Sequence, residues 1–176
     1  MREQKIEGDF SLKEIMGLEH VQRLADRFCE VTDVFAYGVD KEGRPVTRIS
    51  GHKEEAERVL EYLNEDQIRE LIDRVQVGSL EEQAVEDTEY ADMKIAAVAI
   101  RIDENHLVTW VVCGILTEQD AKEFGARTER IATRVSEKKF YHVLDVLRDT
   151  SYVILENQIS LVNARAESVS FWTATP

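Results

Sequence analysis

Cysteine, proline and glycine are all scarce in this chain of 176 residues, at two, two and eight. Two cysteines 84 positions apart, Cys29 and Cys113, make neither a disulfide framework nor a CxxC pair. So little glycine and proline beside 43% hydrophobic residues excludes collagen-like, low-complexity and disordered chains. Long apolar runs are missing too: the longest, Ile95 to Ile100 and Trp110 to Leu116, fall far short of the roughly 20 residues a membrane helix needs. The start, Met1-Arg2-Glu3-Gln4, lacks the apolar core of a signal peptide, and the sequence reads as cytoplasmic, with no membrane partner. Positive charge is the remaining shortage. The 22 Lys and Arg face 35 Asp and Glu, a balance of −13 that repels phosphate backbones and argues against nucleic acid as a partner.

Catalytic constellations are also lacking. The four histidines, His20, His52, His106 and His142, form neither HxxxH nor HExxH, and no P-loop, GxGxxG or GxSxG occurs. Carboxylate pairs such as Glu54/Glu55 and Glu81/Glu82 are what an acidic composition yields, and they read as solvated. Cys29 on an apolar helix stripe and Cys113 in an apolar strand read as buried thiols. The sequence is therefore read as non-enzymatic, with no metal and no cofactor.

What is present is strong periodicity. Ser11 and Glu14 form a capping box, with Phe10 and Ile15 as a hydrophobic staple, and apolar positions from Leu18 to Cys29 extend a helix to about Val31. Val34 to Val39 and Pro45 to Ser50 read as a hairpin around the turn Asp40 to Gly43. Two short amphipathic helices follow between Gly51 and Gly78, the second capped by Asn64, and then an acidic loop with one edge strand near Ala84 and Val85. Met93 to Ile102 and Leu107 to Leu116 are the strongest strands, an antiparallel pair at the centre of a sheet. From Thr117 to about Ser170 no proline occurs, and one long helix is the simplest reading. Phe124, Thr128, Ile131 and Val135, then Leu155, Ile159, Val162, Ala166 and Val169, step by threes and fours as a coiled-coil seam does. The expected class is α+β: an antiparallel sheet flanked by helices in residues 1–116, and a long coiled-coil-like helix in 117–176 that pairs with a second copy. A homodimer is the simplest way to cover such a seam.

Alternation along the last strand places Val108, Trp110 and Val112 on one face of the sheet, and Leu107, Thr109, Val111 and Cys113 on the other. Both faces are apolar, so both are expected to be covered. Tyr37, Arg48, Thr109 and Trp110 interrupt this surface and are the candidate lining of a small-molecule pocket between sheet and helices. The plainer reading makes Tyr37 and Trp110 core fillers, Thr109 an ordinary strand residue and Arg48 a solvated side chain.

The order of elements is similar to that of PAS-like and GAF-like sensor domains, and the wording resembles the PocR-type sensory domain of bacteria. Leu18 to Asp33, Val34 to Pro45 (VFAYGVDKEGRP) and Ala96 to Gly114 (AAVAIRIDENHLVTWVVCG) carry the resemblance. Leu80 to Asp92 lacks the cysteines and the Cys-His stretch common in that type. The resemblance implies a small-molecule-sensing input domain of a signalling or transcription-regulatory protein, its terminal helix passing on ligand occupancy. The alternative is a ligand-independent dimerisation module of the same fold.

Charge divides along the chain. Residues 1–116 carry 14 basic and 26 acidic groups, a balance of −12, and residues 117–176 carry 8 and 9, a balance of −1.

Overall fold

The computed structural model describes residues 12–76, 81–103, 105–117 and 128–174. Phe10 of the expected staple, Ser11 of the expected capping box and Phe124 of the expected seam lie outside them. Four strands form one antiparallel sheet in the order β1-β4-β3-β2, with β1 at Phe35–Val39, β2 at Gln83–Asp87, β3 at Met93–Ile102 and β4 at Asn105–Ile115. The central pair is the expected one, because Ile, Val and Ala on both sides of these strands suit a sheet buried on both faces.

Helices cover each face. On one side lie α1 (Leu12–Met16), α2 (Leu18–Thr32) and the first half of α5 (Glu137–Ala174), packed on Ala36, Val98, Ile100, Val108, Trp110 and Val112. On the other, α3 (Lys53–Leu60) and α4 (Glu65–Gln76) pack on Phe35, Val39, Ala97, Val111 and Cys113. Asn64 caps α4 as its spacing implies, its Oδ1 accepting from the Gln67 amide at 3.0 Å.

Four expectations are corrected. Pro45 to Ser50 is not a regular strand: Thr47 Oγ1 takes the Gly38 amide at 2.8 Å, and only isolated bridges, Val39 to Pro45 and Ala36 to Ser50, pair the segment with β1. Leu107 lies with the α1, α2 and α5 face, because the register shifts between Ile100 and Arg101 and leaves it as the extra residue of a bulge. The long helix starts at Glu137, not Thr117, with Ser136 Oγ accepting from the Lys139 amide at 3.1 Å.

Residues 128–135 are an irregular strap instead of a coiled-coil seam. Ile131 is buried with the α3 and α4 side and Val135 with the α5 side, so their three-four spacing arises from a chain that crosses the end of the sheet. Two carboxylates hold it. Asp92, fully buried, accepts from Arg134 Nη1 at 2.8 Å and from Thr128 Oγ1 at 3.0 Å. Glu55 of α3 accepts from the Ala132 and Thr133 amides and from the Thr133 hydroxyl.

The stripe of α5 that meets the sheet runs through Phe140, Leu144, Leu147, Ser151, Leu155 and Ile159, all buried. At 1.5 Å per residue a helix of 38 residues is about 57 Å long, and beyond Ile159 it has left its own core. No helix among the described residues is long and apolar enough to cross a membrane.

Candidate functional site

A cavity of about 230 Å³ opens between α1, α2, the sheet and α5. Its floor is Ala36, Val108 and Trp110, where small residues beside the indole leave the space unfilled. Ala25, Phe28 and Cys29 of α2 form one wall, Leu147, Ser151 and Leu155 of α5 the other, and Leu12 and Met16 of α1 the roof. Gly17 sits between α1 and α2 at φ +80°, a conformation that favours glycine, and lets α1 turn back over the opening.

Trp110 is the expected pocket residue that the structure places here. Its Nε1 donates to Ser151 Oγ at 3.1 Å, so the floor of the cavity is hydrogen-bonded directly to α5. Burial pushes the Cys29 thiol up to about 12, so it stays a neutral wall atom. Cys113, behind the sheet, is raised by burial to the same level.

The other three candidates lie elsewhere. Tyr37 and Arg48 line a separate groove of about 790 Å³ between α2, the Pro45–Gly51 segment and α3, together with Asp26, Glu30 and Glu57. Gln22 of α2 fixes the Arg48 backbone there, its Oε1 accepting from the Arg48 amide at 2.7 Å. Burial raises the Tyr37 phenol above its ordinary value, so it is uncharged at neutral pH.

Thr109 is fully buried on the α4 side, within a polar cluster. It accepts from Gln76 Nε2 at 3.0 Å and meets His106 Nε2 at 2.7 Å, and Gln76 Nε2 also donates to the Asp40 carbonyl at 3.2 Å. The His106 ring nitrogen Nε2 thus lies 2.7 Å from Thr109 Oγ1 and 3.3 Å from Gln76 Nε2, whose two protons already serve Thr109 and Asp40. The ring's Nδ1 is buried, with no hydrogen-bond partner among the described residues. Burial, followed by the positive charge of Arg101, pulls the His106 pKa down from 6.5 to about 4.

An acid-sensitivity prediction follows from that cluster. The unfolded chain binds the His106 proton near pH 6.5 and the folded chain only near 4, so the histidine's contribution is complete above about pH 6.5 and lost as pH falls to 4. After allowance for screening of a partly exposed ring, the loss is about 1 to 2 kcal/mol. Urea titrations of wild type and His106→Gln between pH 4 and 7 should show this slope only in the wild type. Equal slopes would remove His106 as its origin.

The lining that sequence reading missed is the contribution of α1 and α5. Met16, Leu147, Ser151 and Leu155 reach Trp110 from more than 35 residues away, and only the phase of the α5 stripe hinted at their direction. Among the described residues no group of three or more His, Cys, Asp or Glu is arranged to hold a metal ion. No family model, curated protein or solved structure matches this chain.

Proposed function

We propose that the chain is a small-molecule-sensing input domain of PAS/GAF-like type, from a bacterial signalling or transcription-regulatory protein working in the cytoplasm, and that its occupant biases a dimeric terminal helix. The observation that carries this reading is the composition of the cavity wall: α5, the element that leaves the domain, supplies Leu147, Ser151 and Leu155. An occupant can shift a helix only if it contacts the helix differently in two packings, and a cavity walled by α5 would put its occupant against that helix.

The second copy meets α5 beyond Ile159. There Val162 and Ala166 continue the stripe of Leu155 and Ile159 but are no longer buried by the domain. Charge favours the same place, because residues 1–116 repel their copies with a balance of −12 whereas residues 117–176 carry −1. Sedimentation of the wild type should give a dimer, and Val162→Asp, remote from the cavity, a folded monomer with at least about tenfold weaker association. A wild-type monomer at high micromolar concentration would remove the dimeric helix.

A ligand-independent dimerisation module is the second reading, favoured by one observation: the Trp110 indole is only 7% exposed and already satisfied by Ser151, as a structural core residue would be. That reading expects dimerisation with no response to any occupant.

A further inference from the structure

We propose that the cavity's ligand is an uncharged aromatic molecule of about ten non-hydrogen atoms carrying a single hydrogen-bond acceptor. The inference rests on the sensing reading and adds the chemical class.

Size comes from the volume. A dry apolar cavity of about 150 Å³ holds benzene, and this one, at about 230 Å³, has room for roughly half as much again. Charge is disfavoured by the lining, which among the described residues contains no Asp, Glu, Lys, Arg or His. An ionised group would lose its water with no counter-charge to replace it. The aromatic preference comes from the walls, where Trp110 and Phe28 offer ring faces and edges, and the sulfurs of Met16 and Cys29 favour ring contact. The acceptor is matched to Ser151, the buried hydroxyl of the lining, since the other, Thr150, is exposed. Its oxygen receives the Trp110 Nε1 proton, which leaves its own hydroxyl hydrogen as a donor beside the cavity.

The test compares two probes of nearly equal size, acetophenone, which is neutral with one acceptor, and benzoate, which is an anion. Titration calorimetry on the full chain at pH 7.5 should give saturable binding of acetophenone at least about tenfold tighter than benzoate. Ala25→Leu, which adds three carbons to the wall, should abolish it; Ala36→Val, a smaller filling of the floor, serves if Ala25→Leu does not fold. Benzoate binding equal or tighter, and lost in the filled variant, would overturn the chemical class while leaving the cavity a ligand site. Acetophenone binding that survives both fillings would place the site elsewhere and overturn the proposal. No binding of either probe would overturn both the class and the sensing reading.

Discussion

Gly114→Val should destabilise the protein by about 3 kcal/mol, the upper end of what overfilling a packed core costs. Gly114 lies in β4 directly beneath Phe140, the first buried aromatic of α5. A Cβ there would overlap Phe140 Cδ1 and Cε1 and approach Val135 Cγ1 to 3.2 Å. Strand backbone at this site tolerates any residue, so the effect is steric, and valine's preference for strands offsets little of it. The ring is fully buried and cannot swing to solvent, so α5 itself must move off the sheet. Chemical denaturation with and without Phe140→Leu checks the cause: the cost of Gly114→Val should fall by more than 1 kcal/mol once the smaller side chain is present. An unchanged cost would show that Phe140 is not what the new methyls strike.

Asp92→Ala should cost about 3 kcal/mol by a different route. Its carboxylate has no solvent exposure and holds both Arg134 and Thr128, so truncation leaves a partly buried guanidinium and a buried amide without their acceptor. The figure sits at the low end for a broken buried pair because Arg134 is 24% exposed and keeps the carbonyls of Leu116, Thr128 and Ile131. Burial alone would raise the pKa of Asp92, but hydrogen bonds from Arg134 and Thr128 outweigh it and hold the group below the usual aspartate value. Its contribution is therefore present above the unfolded value near 4 and lost as pH falls through the lower folded value. Glu55, whose burial is likewise outweighed by hydrogen bonds from Thr133 and Ala132, behaves in the same sense. Acid unfolding should then show the His106 loss first, between pH 6.5 and 4, and the strap's loss below about pH 4. Asp92→Asn should lower neutral-pH stability, by less than Asp92→Ala, and flatten the second stage.

These two sites, Gly114 under Phe140 and Asp92 beside Arg134, mark where reading the sequence stopped. Helices and central strands are written locally: Leu18 to Cys29 has a period of about 3.6, Asn64 and Gln67 a cap spacing, and Ile95 to Ile100 the composition of a doubly covered strand. The α+β class, the sheet and the long terminal helix could be read from such patterns. The strap could not, because Thr128, Ile131 and Val135 are spaced as on a helix, and what makes them otherwise is Asp92, 36 residues before Thr128. Thr47 hid the irregular edge in the same way, as a side chain standing in for a backbone acceptor. Of the four pocket candidates, alternation alone separates Thr109 from Trp110, and the structure puts them on opposite sides of the sheet. The cavity was invisible because its roof and one wall come from Leu12 to Met16 and Leu147 to Leu155, segments about 130 residues apart.

On the proposed function, occupancy of this cavity is felt by the helix that leaves the domain. Amide hydrogen exchange of the full chain, with and without saturating acetophenone, measures that directly. The account predicts slower exchange in residues 147–155 of α5 and 21–29 of α2, the two walls of the cavity. Bound probe with α5 exchanging at its unliganded rate would contradict it.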